Sequence, residues 1–572
     1  MVNYKERIAE IISSKIDDLS LEDAIELLEI PQDSKMGDYA FPCFRLAKVM
    51  RKAPQMIAAD ITESIKGESL FSDVQQVNAY VNMFLSKEGY IKSTLEEAID
   101  GENFGKSSMG EGKTVIVEYS SPNIAKPFHI GHIRSTVIGN SIYLIYDALG
   151  YKVRRLNHVG DYGTQFGKMI VAYRHWGNEQ DVKDAPITTL LNYYTKFHVE
   201  AEKHPELDDE ARKAFVDLEK GEEGELKLWK WFSEESMKEF NRVYKMLNIE
   251  FDEVDGESFY SDKMQRFIEE LKEKGLLEVS RGAQIVDLEK YGMPPALITK
   301  SDGSTLYCTR DIATAVYRKE TYDFYKNIYV VATQQNLYFQ QWMKVVELLG
   351  YDWVKDCIHV PFGMVSLEEG TMSTRSGRVV FLEDVLNKAV EKTREIISEK
   401  NPAADADFID EVAKQVGIGA VIFQELSNNK IKDYVFKWDK VLNFDGETGP
   451  YVQYTHARGA SVLRKAGDAI VSKAEKLDID FKYLNSDSAY ELVKLIYAFP
   501  GVVVEAGEKF EPSIITRHVV NMAQGFNRFY HDEHILTDND DEKTAKIALT
   551  IAAKNAIKRG LALLGMQAPE RM

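Results

Sequence analysis

From Lys113 the chain reads as a strand, a loop, a long helix and a second strand. The β-branched run "TVIVEYS" predicts a buried strand. After the loop "SPNIAKPF" comes "HIGHIRSTVIGNSIYLIYDALG", an amphipathic helix that Gly150 closes as a C-terminal stop. "KVRRLNHVGDYG" then returns as a strand. This order favours a parallel sheet. Open parallel sheets take ligands at the carboxyl ends of their strands, where helix N-termini point free N–H groups outward. Two more apolar strands, "NIYVVAT" (327–333) and "CIHVPFGMV" (357–365), resume the sheet after a charged helical insertion at about 185–250.

The rest of the sequence sets bounds on that core. At 572 residues, three or four domains of roughly 150 residues each are expected. No apolar run reaches the ~18 residues of a membrane helix, so no membrane is expected. The opening stretch "MVNYKERIAEIISSKIDDLSLEDAIELL" reads as an acid-containing amphipathic helix and not as a signal peptide. Cys43, Cys308 and Cys357 are too far apart for a disulfide framework or a zinc pattern, which favours a cytoplasmic, reducing location. A net charge of −20 argues against a simple nucleic-acid binder. The charge is uneven: residues 451–572 hold 16 Lys and Arg against 16 Asp and Glu, whereas residues 1–110 hold 12 against 19. A neutral C-terminal module on an acidic body is compatible with selective RNA docking. From about 385 onward every segment reads as helix.

The two histidines at the helix start, His129 and His132, admit three readings. A metal site lacks its third ligand, and Gly131 weakens the helix that would carry it. A plain helix start would let the histidines cap and pack, but leaves Asn123, Lys126 and Gly131 unexplained. A phosphate site explains them together. The histidines add donors, Gly131 lets a nucleobase approach the backbone, and Lys126 brings a full positive charge. Such a site binds a nucleotide and steadies charge developing on phosphorus.

His129-Ile130-Gly131-His132 resembles the HIGH signature of class I aminoacyl-tRNA synthetases. The longer strings "VEYSSPNIAKPFHIGHIRSTVIGN" and "NHVGDYGTQFGK" resemble the arginyl-tRNA synthetases, as do "SDGSTLYCTRDIATA", "YVVATQQNLYFQQ", "GTMSTRSGRVVFL", "GPYVQYTHARGASVLRKA" and "LGMQAPERM". The resemblance implies an α/β multidomain protein in three parts. These are an N-terminal α+β domain at 1–110, a Rossmann-type parallel-sheet catalytic domain with helical insertion at 111–385, and an all-α anticodon-binding bundle at 386–572. It also implies ATP as substrate with Mg²⁺, no zinc, L-arginine and tRNA(Arg) as partners, and a monomer. It places Gly363 and Met364 on ATP together with His129, Gly131 and His132. The family's KMSKS loop falls on Thr371-Met372-Ser373-Thr374-Arg375, where both lysines are absent. Ser373, Thr374 and Arg375 remain as expected ATP contacts. In this family a lysine just before HIGH takes over the missing charge, and Lys126 stands there.

Selection of arginine follows from chemistry. A guanidinium is planar, always charged and carries five N–H donors. Its site needs carboxylates and a flat or hydroxyl-bearing partner. Glu118 ends the first strand, and Tyr307 and Asp311 share a face if their segment is helical. The resemblance sets these three around the substrate with Ser120, Asn123, His129, Gln335 and Glu257. It also implies tRNA contacts at Tyr451, Tyr454, Arg458, Arg528 and Met572. "FNRFYHDEHIL" mixes aromatics with an arginine, which suits stacking on unpaired bases. The expected activity is an arginine-tRNA ligase. Two alternatives stand beside it: a nucleotidyltransferase of the HIGH superfamily acting on a small molecule, and a catalytically silent synthetase-like RNA-binding protein.

Overall fold

A computed structural model of the chain describes residues 3–17, 19–300, 307–367, 380–444 and 446–572. It forms two compact units that interleave along the sequence. One holds Gly105–Tyr454, Pro500–Val520 and Gly560–Met572; the other holds Met1–Phe104, Thr455–Phe499 and Asn521–Arg559.

The larger unit is built on a parallel sheet. The strand β1 (Thr114–Glu118) leads through the helix α1 (Ile133–Ala148) to β2 (Lys152–Asn157). Beyond the helical insertion lie β3 (Glu253–Val254), α2 (Tyr307–Tyr322), β4 (Lys326–Ala332), α3 (Asn336–Leu348) and β5 (Cys357–Phe362). The strand order is β5-β4-β1-β2-β3, every pair parallel. Chain order reverses between β1 and β4, which is the switch point where such sheets open a crevice. Val115, Ile116 and Val117 are completely buried, as a central strand covered on both faces requires. The two strand segments expected after the insertion are β4 and β5.

Helix α1 departs from the amphipathic reading. Thirteen of its sixteen residues are buried. The sheet covers one side, where a Cβ at Gly139 would sit 2.1 Å from Tyr119 Cβ. Late segments of the chain cover the other: Tyr146 Oη donates to Gly507 O (3.2 Å) and Ser141 Oγ to Leu563 O (2.8 Å). No local periodicity announces a second cover that arrives hundreds of residues later. The all-helical reading beyond 385 also needs correction. After α4 (Ala406–Ser427), β7 (Tyr434–Phe436) pairs in parallel with β6 (Val365–Leu367). The partners are 69 residues apart at each register position, so the pairing leaves no local pattern.

The insertion is helical as expected, with Pro186–Ala201, Glu206–Glu219 and Glu223–Met246. A three-stranded antiparallel sheet, Glu278–Ser280, Ala283–Val286 and Ala296–Thr299, follows it.

In the smaller unit, three antiparallel strands (Tyr39–Pro42, Tyr80–Leu85, Phe71–Val77) pair in that order. The opening stretch forms two helices, Tyr4–Ser13 and Leu21–Leu27, and the Ser20 side chain caps the second by accepting from the Asp23 N–H. Phe526 and Phe529 are core residues. Among the described residues no helix is long and apolar enough to cross a membrane.

Candidate active site at the strand ends

The loop leaving β1 is strained. Ser120, Ser121 and Ala125 all have left-handed backbone, at φ 69°, 46° and 58°. Non-glycine residues hold such angles only where the surroundings impose them, and they cluster at working sites. Here the restraints are visible. Ser120 N–H donates to Ser135 Oγ (3.0 Å), Ser121 N–H to Asn157 Oδ1 (3.1 Å) and Ala125 N–H to Ser236 Oγ (3.1 Å). Gly160 bridges to Ile124 and Pro122 through its backbone, and a Cβ there would fall 2.3 Å from Asn123 Oδ1. Asn123 itself is exposed. Ser120 is buried, with its hydroxyl bonded to Thr136 Oγ1 (2.9 Å) and Tyr244 Oη (2.8 Å).

Residues Ile130–His132 form a single 3₁₀ turn before α1. His129 Nδ1 accepts the Gly131 N–H (3.0 Å) and His132 Nδ1 accepts the His129 N–H (3.1 Å). A nitrogen that accepts carries no proton, so each neutral ring keeps its proton on Nε2. Burial, helped by the neighbouring His129, holds His132 down at about 3, and burial also lowers His129. Both rings are therefore neutral near pH 7. The pair offers two oriented Nε2–H donors, with ring centroids 4.0 Å apart.

The second half of the crevice is tied to this turn. Ile130 N–H donates to Val380 O (3.2 Å) and Leu382 N–H to Phe128 O (3.0 Å). Gly363 O accepts from Arg134 Nη1 (2.9 Å), and Met364 N–H donates to Asp433 Oδ1 (2.6 Å). Ser373, Thr374 and Arg375 lie outside the described residues. Lys126 is exposed by area, yet crowding by protein lowers its ammonium against the opposing pull of Glu257.

Three carboxylates gather between the end of β1 and the start of α2. Glu118 is buried, and Arg318 Nη1 approaches its Oε2 to 2.6 Å. Asp311 accepts the Tyr338 hydroxyl, while burial, with Glu118 adding to it, pushes its carboxyl up to about 6. Glu257 pairs with Arg310 Nη1 at 3.0 Å, and burial raises it to about 7 against the pull of Arg310. Tyr307 and Asp311 share a face of α2, and Tyr307 is 59 % exposed. Gln335 is exposed in the turn after β4. The sequence reading missed Arg310, Arg318 and Tyr338. The first two were legible as cations one and seven positions from Asp311, but nothing local pairs them with Glu257 and Glu118. Tyr307 and Arg310 also line a cavity of about 710 Å³ shared with Tyr162, Phe215, Lys168 and Lys300.

The residues expected to meet tRNA lie elsewhere. Tyr451, Tyr454 and Arg458 lie on the helix Gly449–Ala466. Arg458 Nη1 bonds Asn527, with its guanidinium over the Tyr530 ring at 5.3 Å. Arg528 is exposed, and Met572 packs partly buried against Val390, Ile397 and Val412.

Comparison with known proteins shows the family. The profile for "tRNA synthetases class I (R), catalytic domain" matches residues 94–438, that for "DALR anticodon binding domain" 452–572, and that for "Arginyl tRNA synthetase N terminal domain" 4–85. The chain is 59 % identical to the arginine–tRNA ligase of Clostridioides difficile and 56 % to that of Halothermothrix orenii, each over 100 % of both chains. The fold matches the Thermus thermophilus arginyl-tRNA synthetase with a TM-score of 0.83 at 24 % identity, over 100 % of both chains. It matches the Plasmodium falciparum enzyme with a TM-score of 0.78 at 25 % identity, over 100 % of this chain and 98 % of that one. With parallel sheet, histidine turn and carboxylate cluster in place, the chain belongs to the arginyl-tRNA synthetase family.

Proposed function

We propose that this chain activates arginine with ATP and transfers it to the 3′-terminal adenosine of tRNA(Arg). The arginine carboxylate attacks the α-phosphorus in line, pyrophosphate leaves, and a ribose hydroxyl of the tRNA then attacks the acyl carbon to release AMP. ATP enters as its Mg²⁺ complex, the ion riding on the phosphates. The protein's contribution is alignment and charge stabilisation. The Nε2–H groups of His129 and His132 face the phosphate oxygens, joined by Lys126 and by the segment holding Gly363, Met364, Ser373, Thr374 and Arg375. Because both rings are neutral, they donate hydrogen bonds without adding charge. Glu118, Asp311 and Glu257, with Asn123, Tyr307 and Gln335, form the arginine side. The exposed aromatics and arginines of the C-terminal helices dock tRNA, and the enzyme works as a cytoplasmic monomer.

The observation that carries this reading is the meeting of the neutral histidine pair and the acidic cluster at one sheet switch point. ATP–pyrophosphate exchange tests it. Exchange should require L-arginine and tRNA(Arg) and should fail with lysine. Asp311→Asn should raise the KM for arginine by about 2–3 kcal/mol equivalent while the KM for ATP stays put. Equal loss toward both substrates would show a collapsed site and remove Asp311 from the arginine pocket.

A further inference from the structure

Helix α2 carries Asp311 and Arg318 two turns apart on one face. Arg318 is wholly buried, yet it is a permanent cation. An isolated buried charge is very costly, so its partner must be fixed. That partner is Glu118, at 2.6 Å from Arg318 Nη1, on the last residue of the central strand β1. The pair is packed tightly. The Tyr329 ring lies 5.5 Å from the guanidinium carbon, and the Tyr260 hydroxyl, His158 and Asp255 face it from other elements. Glu118 and Asp311 also feel each other's charge.

Glu118 thus has one oxygen committed inside the protein. Counted over Glu118, Asp311, Glu257, Arg310 and Arg318, three carboxylates meet two guanidiniums, and Asp311 is the one without a guanidinium partner. We propose that Arg318 is a positioning residue for amino-acid selection: it clamps Glu118 at the strand end and leaves these five groups one positive charge short of neutrality, the charge of one incoming guanidinium. This rests on the reading of Asp311 as the arginine-facing carboxylate. The groups facing Asp311 are Tyr338 on α3, Cys308, Arg310 and Arg318 on its own helix, Glu118 on β1, Tyr329 on β4, and Glu257.

The test is a double-mutant cycle read by the pH profile of kcat/KM for arginine. Arg318→Met leaves two unpaired carboxylates side by side. The acid limb should move up by about one pH unit, the KM for arginine should rise at least about tenfold at pH 7, and the KM for ATP should stay within about twofold. Glu118→Gln leaves an uncompensated cation beside Asp311. It should move the limb down and also weaken arginine binding. The double variant Glu118→Gln/Arg318→Met removes both charges, so the limb should return near its original pH and arginine binding should improve over Glu118→Gln alone. If Arg318→Met does not fold, the comparison of Glu118→Gln with the double variant still decides. A folded Arg318→Met enzyme with an unmoved limb, or a double variant no better than Glu118→Gln, overturns the proposal. Asp311→Asn with unchanged arginine KM would instead fail the pocket assignment itself.

Discussion

The guanidinium of Arg134 and the carboxylate of Glu425 face each other at 3.5 Å with no exposure on either side chain. Arg134 sits two residues past His132 on α1, and Glu425 lies near the end of α4. Arg134 Nη1 also donates to Gly363 O and Lys432 O, at 2.9 and 2.7 Å, and the Tyr434 hydroxyl bonds Glu425. One buried cation therefore ties the helix that follows the histidine turn to the segments leading into β6 and β7. Breaking a buried pair from one side typically costs about 3–5 kcal/mol. Arg134→Met should lose about that much stability in urea denaturation at pH 8. Burial already pushes the Glu425 carboxyl up to about 7 despite Arg134. Without Arg134 it rises further, so the folded state binds a proton that the unfolded state has released above its ordinary carboxylate range. The defect should accordingly shrink, by up to about 1.4 kcal/mol, at pH 5.5. An equal deficit at both pH values would mean that Glu425 stays charged without its partner.

The histidine pair gives a kinetic prediction. His129→Ala or His132→Ala should lower single-turnover adenylate formation by about 10²–10³, the scale of one lost transition-state donor. Burial lowers both rings, His132 to about 3, so protonation of His132 should place no limb in the pH–rate profile between 6 and 8. Near-normal turnover in either variant would leave that ring a structural cap.

Asp311 and Glu257 link arginine binding to pH. Their carboxyls are raised to about 6 and about 7, mainly by burial. Groups raised in the folded state favour folding below those values and withdraw that support as pH climbs through them. A bound guanidinium compensates the charge that appears. The increase in Tm produced by saturating arginine should therefore be larger at pH 7.5 than at pH 5.5. A pH-independent increase would show that neither carboxyl faces the ligand.

Lys126 should matter in the transition state more than in ATP binding. Lys126→Ala should lower kcat far more than it raises the KM for ATP, because charge felt only as pyrophosphate leaves appears in kcat. Thr374→Lys in that background should restore part of the loss. A crippled enzyme that lysine at 374 leaves unrescued would keep Lys126 important but end the idea that the two positions share one charge.

The parallel sheet, its strand–helix–strand entry and the histidine turn were legible locally, because a β-branched run and a helix stop are properties of neighbours in sequence. Asp311 and Tyr307 were legible as a helix pair for the same reason. The Glu118–Arg318 and Glu257–Arg310 pairs were not, since each joins residues 200 and 53 positions apart. The β6–β7 pairing and the full enclosure of α1 were hidden by the same separation. Ser120 matched a family string, and its hydroxyl also bonds Thr136 and Tyr244, contacts that only three-dimensional packing decides.

The interleaving of the two units bears on how the chain is made. Residues 560–572 complete the sheet-bearing unit, where Leu563 O caps the Ser141 hydroxyl, and residues 521–559 complete the other. Ribosomes add residues at about 5–20 per second and domains commonly fold as they emerge, N-terminal first. Here each unit takes in a segment from beyond residue 520, one ending at Arg559 and the other at Met572. The faces of α1 and of the first hundred residues that these late segments cover stay open in the meantime, so the order of synthesis and the order of packing differ in this chain.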